Sequence, residues 1–239
     1  MRKRRLVAVF TTVSMLALLV GAPAAGAGAE RSYTVTITNS TDGQPFTPAL
    51  ATTHKGSDGL FSVSSAASFG LKEIAENGNL DPMVDRVTGD GDFADLVVQT
   101  GNTGVPPVMP GETVTFEITA GPPFNFLSWA SMLICSNDGF TGVDTLKLPS
   151  EVGDSVSVST QGYDAGTEIN TEAFVDLVPP CGPLTGQDSM GRGTGTSNPA
   201  LAENGVIHHH GGILGVADLD PAINDWDNPV ATITVERTG

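Results

Sequence analysis

The chain has 239 residues and is strongly acidic, with 27 Asp and Glu against 11 Lys and Arg and a formal net charge of −16 at pH 7. A surface of this kind repels nucleic acid and anionic membranes at moderate salt, and it suits cations or basic partners. The same composition is also typical of a soluble exported protein whose charge serves no partner.

Residues 1–29 are predicted to be a signal peptide. A basic stretch at 2–5 is followed by an apolar run of 15 residues at 6–20 and by small-x-small cleavage sites at 25–27 and 27–29. The apolar run is short for a membrane span, which needs roughly 20 residues. We therefore expect a secreted, extracellular protein with one domain at 30–239 and no membrane span after signal removal. Cleavage leaves 7 basic against 27 acidic residues, a net charge near −20.

The mature part is predicted to be all-β, an antiparallel β-sandwich. Strand-like alternation recurs along it, and 29 Gly and 16 Pro supply frequent turns. The predicted strands are residues 33–39, 49–53, 96–100, 113–119, 129–135, 155–161, 206–210 and 230–236.

One short helical insertion interrupts the strands. Residues 68–77 place apolar side chains on one face and end before Gly78. A second helical turn is predicted to begin with Asp81 as its cap and Pro82 in its first position. Residues 105–111 are predicted to form a turn-rich connection, and residues 179–204 a long surface loop.

Two acidic loops follow or adjoin predicted strands. Asp138 comes just after the apolar run at 129–135, and Asp164 and Glu168 come just after the alternating stretch at 155–159. If both strands belong to one sandwich, the three carboxylates meet at one rim, where they repel each other unless a cation lies among them. Oxygen ligands on irregular loops favour Ca²⁺, which takes roughly 6–8 oxygens. Asn137 and Asp144 lie nearby and could also supply oxygen ligands to the cation, but we rank them below the three carboxylates.

The stretches Asn-Asp-Gly-Phe-Thr-Gly-Val-Asp at 137–144 and Tyr-Asp-Ala-Gly-Thr-Glu at 163–168 resemble the spondin domain. That domain lies near the N-terminus of F-spondin and forms the core of mindin, and it also occurs in single-domain secreted bacterial proteins. The resemblance runs from the strand at 33–39 to the strand at 230–235. It implies an antiparallel sandwich similar to calcium-dependent lipid-binding domains of the C-two type, with one calcium ion.

The resemblance places the calcium carboxylates on Asp138, Asp164 and Glu168. Animal members have Asp at the last position, so Glu168 is a departure that lengthens the side chain by one methylene. The animal family implies matrix, integrin or microbial-surface binding, that is, cell adhesion. For this chain we expect an extracellular protein or glycan ligand whose identity the sequence does not give.

The two cysteines, Cys135 and Cys181, are predicted to form a disulfide, because an exported protein with two cysteines usually pairs them. The alternative is a reactive or metal-binding pair of thiols. The bridge would close a loop of roughly 46 residues, worth on the order of 3–4 kcal/mol by the chain-entropy argument.

The run His208-His209-His210 has two interpretations. On a strand, His208 and His210 share one face and could bind a transition metal together, or the run is simply a strand that carries histidines beside a loop. The acidic clusters at 218–229 and 90–95 also have two interpretations, because each could bind a cation or form solvated turns. Neither cluster fits the EF-hand pattern.

No Gly-x-Ser-x-Gly elbow, His-Glu-x-x-His motif or Walker loop occurs in the sequence. We therefore expect a binding module rather than an enzyme. A secreted hydrolase or metalloenzyme that uses the acidic loops or the histidines remains the alternative, since the members of a catalytic triad need not be close in sequence and His54 is also available.

Overall fold

The computed structural model describes residues 29–57, 59–101 and 107–239. The predicted signal peptide, apart from Ala29, lies outside the described residues, and so do the first two residues of the predicted connection at 105–111. The strands are β1 (Arg31–Asn39), β2 (Ala49–His54), β3 (Phe93–Gln99), β4 (Thr113–Ala120), β5 (Phe126–Met132), β6 (Gly139–Lys147), β7 (Ser155–Thr160), β8 (Gly162–Asp164), β9 (His208–His209) and β10 (Ala231–Arg237). The helices are α1 (Phe69–Asn77), α2 (Asp81–Gly89), α3 (Cys181–Thr185), α4 (Pro221–Asn224) and a 3-10 helix (Pro199–Leu201).

The strands form two antiparallel sheets, which confirms the predicted all-β sandwich. The four-stranded sheet has the order β4-β1-β10-β7, and the six-stranded sheet has the order β3-β2-β5-β6-β8-β9. In the four-stranded sheet, Val35 of β1 lies opposite Phe116 on one side and Val235 on the other. Alternate residues of these strands are buried, as expected for a sheet with one face on the core and one in water.

The six-stranded sheet is covered on both faces. Every residue of β2 and all but the first of β5 are buried, because one face packs in the sandwich and helices cover part of the other. The predicted helix at 68–77 is α1, with Ser68 as its N-cap, and it buries Leu71 and Ile74.

The second helix, α2, is a full helix rather than a short turn. Its N-cap is Leu80, and Asp81 lies inside the first turn, so the prediction of Asp81 as the cap is wrong by one residue. The Asp81 backbone N–H instead donates to the Asn79 side chain at 3.2 Å. Asn79 therefore provides the capping contact that the sequence pattern assigned to Asp81.

β6 is the main strand that the sequence pattern did not predict. Its two glycines and Asp144 interrupt the apolar alternation that indicates a strand. Gly142 has a packing reason, because a Cβ at this position would lie 2.2 Å from the backbone oxygen of Trp129 on β5. The neighbouring strand β5 begins and ends three residues earlier than predicted, since Ile134 leaves the sheet to bond the backbone oxygen of Pro45 at 2.9 Å.

The two sheets are joined differently at their two edges. At the β3–β4 edge, Asp95 Oδ2 accepts hydrogen bonds from the Thr119 backbone N–H at 2.7 Å and hydroxyl at 2.9 Å. At the other edge the chain itself crosses, because β7 belongs to one sheet and β8 to the other with only Gln161 between them. This crossing carries the chain directly into the loop that holds Asp164.

Candidate functional site

The two acidic loops meet at one rim of the sandwich because β6 and β8 are paired. Gly139 lies opposite Asp164, and the backbone N–H of Ala165 donates to the backbone oxygen of Asp138 at 3.1 Å. β8 then pairs with β9, which places His208 opposite Asp164. We call the three predicted carboxylates, Asp138, Asp164 and Glu168, the acidic rim.

Asp138 is fully buried, and its two carboxylate oxygens have different surroundings. Oδ2 accepts hydrogen bonds from the backbone N–H of Thr167 at 2.7 Å, the Thr167 hydroxyl at 3.1 Å and the backbone N–H of Glu168 at 3.0 Å. Oδ1 is buried and has no hydrogen-bond partner among the described residues. Burial, followed by the charge of Asp164, raises the pKa of Asp138 from 3.8 to about 7.

Asp164 shapes the loop that carries it. Its Oδ1 accepts from the backbone N–H of Gly166 at 2.7 Å, and its Oδ2 accepts from the Asn170 side-chain amide at 2.7 Å. Gly166 has φ +68°, and a Cβ there would lie 2.6 Å from the backbone nitrogen of Val206. The glycine lets the loop fold back.

Glu168 joins the rim through its backbone more than through its carboxylate. Its N–H bonds Asp138, but its side chain lies in a second acidic group with Glu76 of α1 and with Asp176. Burial, then the charges of Glu76, Asp138 and Asp176, raise the pKa of Glu168 to about 8. The sequence did not reveal Glu76, because a Glu in an amphipathic helix is expected on the solvated face.

The three histidines have three different environments. His208 is exposed, and its Nδ1 donates to the backbone oxygen of Val206 at 2.9 Å, which with nearby Asp164 raises the pKa of its imidazole. His209 stacks on the Tyr163 ring with centroids 5.4 Å apart.

His210 is buried beside Trp226, and burial lowers the pKa of its imidazole. Its Nδ1 accepts from the backbone N–H of Gly212 at 3.0 Å, so a neutral ring carries its proton on Nε2, a buried atom that no described residue hydrogen-bonds. A ring in this tautomer has no lone pair left on Nε2 for a metal. The pairing of His208 with His210 as metal ligands therefore has no support from their hydrogen bonds.

The other acidic clusters hold turns together. Asp220 is the N-cap of α4 and accepts from the backbone N–H of Ala222 at 2.9 Å. Asp225 Oδ1 accepts from the backbone N–H of Ile213 at 3.0 Å, and Asp90 Oδ1 from that of Asp92 at 3.0 Å. These contacts agree with the interpretation of both clusters as turns.

Two observations bear on whether the acidic rim can hold a cation, one against it and one for it. Within residues 29–57, 59–101 and 107–239, no three His, Cys, Asp or Glu side chains are arranged so that they alone could hold a metal. Asp138 and Asp164 are nevertheless two neighbouring buried carboxylates, and one oxygen of Asp138 lacks a partner in the same part of the chain. Buried charge without compensation is costly, and an oxygen-binding cation would remove that cost.

Cys135 and Cys181 form a disulfide with Cα atoms 5.1 Å apart, which confirms the predicted pairing. The bridge joins the residue three before Asp138 to the first residue of α3. It thereby anchors α3, which with the 3-10 helix Pro199–Leu201 shows that residues 179–204 are not the uninterrupted loop that the sequence predicted. The part of the chain that the structure describes contains no helix long and apolar enough to cross a membrane.

The fold and the rim together define an all-β sandwich that carries a buried carboxylate pair on its connecting loops. The family model Spondin_N matches residues 33–175, more than half of the chain, and this segment includes all three residues of the acidic rim. The chain therefore belongs to the spondin N-terminal domain family. No curated protein shows significant similarity to it.

Proposed function

We propose that the protein is an exported binding module whose acidic rim holds one Ca²⁺ and thereby fixes the loops that present its binding surface. The observation that carries the proposal is the buried Oδ1 of Asp138, which lacks a partner among the described residues beside the carboxylate of Asp164. Asp138 and Asp164 would supply side-chain oxygens, and Glu168 a longer third carboxylate. Backbone carbonyls and water would complete the shell, as is usual for Ca²⁺.

The role outside the cell rests on the predicted signal peptide, the disulfide and the family. Disulfides persist in oxidising compartments and are rare in the cytosol. The family and the lack of the catalytic motifs tested in the sequence support our proposal of a cell-adhesion role with a protein or glycan ligand.

Thermal melting with excess Ca²⁺ and with chelator tests the calcium site. Because Ca²⁺ would bind only the folded state, a hundredfold excess over its dissociation constant adds about 2.7 kcal/mol of stability, and Mg²⁺ adds less. We expect Asp164→Asn to remove most of this gain. Asp85→Asn, which removes an equal charge from an exposed position of α2, should retain it. An equal melting temperature in Ca²⁺ and in chelator for the unsubstituted protein would disprove the site.

One observation favours a second candidate, a hydrolase. His54 Nε2 lies 2.8 Å from the hydroxyl of Ser128, and His54 Nδ1 lies 2.6 Å from the backbone oxygen of Lys55, which orients the ring. Both side chains are fully buried, so a substrate reaches them only if the residues packed around them move apart. Turnover in an esterase, protease and glycosidase screen that is lost in Ser128→Ala would establish this candidate in place of the binding module.

A further inference from the structure

A cavity of about 380 Å³ lies where the two sheets meet, at the edge where the chain crosses between them. It lies between β7 of the four-stranded sheet and strands β6 and β8 of the six-stranded sheet. The lining residues that matter below are Phe61, Ser62, Asp144, Ser159 and Tyr163. We call it the seam pocket.

Among the described residues that line the seam pocket, Asp144 is the one that carries a charge. Its Oδ1 accepts from the Thr145 hydroxyl at 3.0 Å, and the Thr145 backbone N–H donates to Ser128 Oγ at 2.9 Å. Ser128 in turn bonds His54, so buried neighbours fix the position of the carboxylate. A carboxylate held in this way is prepared for a ligand before the ligand arrives.

The aromatic wall of the pocket is also fixed. The Tyr163 ring lies 5.6 Å from that of Phe61, 5.5 Å from that of Phe140 and 5.4 Å from that of His209, measured between centroids. The Tyr163 and Phe61 rings therefore form a fixed wall in the same pocket as the Asp144 carboxylate, and a cation that contacts both the rings and the carboxylate is attracted by each.

We propose that the seam pocket binds the guanidinium group of an arginine side chain on a partner protein. A guanidinium is planar, stacks on aromatic rings, is weakly hydrated and donates to carboxylates in a fixed fork. Asp144 supplies the carboxylate, Tyr163 and Phe61 supply the rings, and the exposed residues Ser62 and Ser159 complete the lining. The excess of acidic residues over the whole chain attracts a basic partner to the protein surface. The pocket then binds one arginine side chain of that partner.

This inference rests on the proposed function as a binding module, because it names the chemistry of one partner contact. It does not depend on calcium, since none of the described lining residues belongs to the acidic rim. Titration in Ca²⁺ and in chelator therefore separates the two. Equal binding in both buffers leaves the seam pocket intact even if the calcium site fails.

The test is a titration of the full mature protein with N-acetylarginine methylamide, followed by the backbone amide NMR signals of the lining residues. N-acetylcitrulline methylamide is the neutral control of nearly equal shape. We expect arginine to bind with a dissociation constant on the order of millimolar, as suits a small ligand, and citrulline to bind at least about tenfold more weakly. Equal affinity for the two, or signal changes confined to the acidic rim, would overturn the proposal.

Matched variants separate the pocket from general charge. Asp144→Asn should weaken arginine binding about tenfold or more, whereas Asp85→Asn, on exposed α2, should leave it unchanged. Should Asp144→Asn fail to fold, Ser159→Arg places a tethered guanidinium at the mouth and should abolish binding of the free ligand. Ser157→Arg, on the same strand outside the pocket, is its control. Equal losses in either matched pair would contradict a specific site.

Discussion

At Asp138 three donors converge on one carboxylate oxygen, while the other oxygen has none within the described chain. Hydrogen bonds to the ionised form lower a carboxyl pKa, yet burial and Asp164 outweigh them here. In the absence of a cation, the pKa of this carboxyl group is therefore about 7, so the group is about half protonated near neutral pH. The pKa of Glu168 is also raised, to about 8, because the residue is buried and lies near other carboxylates, among which Glu76 has the largest effect.

These two raised pKa values predict how stability depends on pH without calcium. In the unfolded chain Asp138 and Glu168 have their ordinary pKa values of 3.8 and 4.5, and in the folded protein these values are about 7 and 8. At pH values between the two sets, the folded protein therefore binds more protons than the unfolded chain. Stability should therefore fall as pH rises through this window. Urea unfolding in chelator at pH 5 and pH 8 measures the slope, and saturating Ca²⁺ should reduce it.

Substitution identifies the group responsible. Glu168→Gln should reduce the slope in chelator, because it removes one of the carboxyls whose raised pKa produces the slope. Glu203→Gln, an exposed carboxylate beyond the same loop, is the control and should leave the slope unchanged. A calcium-free protein that gains stability from pH 5 to pH 8 would contradict these assignments.

The meeting of Asp138 with Asp164 could be predicted from the sequence, because each follows a strand-like stretch and such stretches share a rim in a sandwich. The position of the Glu168 side chain could not. It depends on Glu76, which is far away in sequence and reaches the site only because α1 packs on β5 and β6. Contacts of this kind are set by tertiary packing rather than by local pattern.

Among the elements, the turn between Asp164 and Glu168 depends most on a single residue. Gly166 has a positive φ and no room for a side chain, whereas Gly153, also with positive φ, has no described atom within 4 Å of the point that a Cβ would occupy. Both sites disfavour alanine through the backbone, by about 1–2 kcal/mol for a left-handed residue. Of the two, Gly166 alone adds a steric collision with the backbone at Val206.

We therefore expect Gly166→Ala to destabilise the protein more than Gly153→Ala, by at least about 1 kcal/mol of overpacking strain. Chemical denaturation of the two variants measures the difference. Gly166→Ala should also weaken the response to Ca²⁺, because it displaces Asp164 and Glu168 together. Equal losses of stability in the two variants would show that the loop accommodates the added methyl group.

The sequence predicted elements well where apolar residues follow a regular pattern and poorly where glycines or short strand pairings interrupt it. The alternation at 155–159 correctly indicated β7, and the apolar face of 68–77 correctly indicated α1. β6 was missed because Gly139, Gly142 and Asp144 interrupt its apolar pattern, and at Gly142 the close backbone approach to β5 leaves no room for a side chain. β9 is shorter than the predicted strand at 206–210, since pairing with the short β8 gives it only two partners among the described residues.

At the scale of the whole molecule, the disulfide connects the strand end before Asp138 to α3 and the segment that follows it. Replacing Cys135 and Cys181 by Ala should lower the free energy of unfolding by about 3–4 kcal/mol, because the bridge closes a loop of 46 residues in the unfolded chain. Urea unfolding of the variant and of the oxidised protein measures the loss. Reduction of the unsubstituted protein should reproduce it, and a variant as stable as the oxidised protein would contradict the estimate.

The antiparallel pairing of β1 with β10 brings the first and last strands side by side at the centre of one sheet, with Ser32 N–H donating to the backbone oxygen of Gly239 at 3.2 Å. Both strands run the length of the sandwich, so Arg31 and Arg237 lie at the end opposite the acidic rim, roughly 20 Å away at about 3.4 Å per residue. An affinity tag or surface linkage attached after Gly239 therefore lies on the side of the molecule opposite the acidic rim. Immobilised in that orientation, the protein turns its acidic loops toward solution, which makes sensor-chip measurements of calcium-dependent binding feasible without blocking the surface under test.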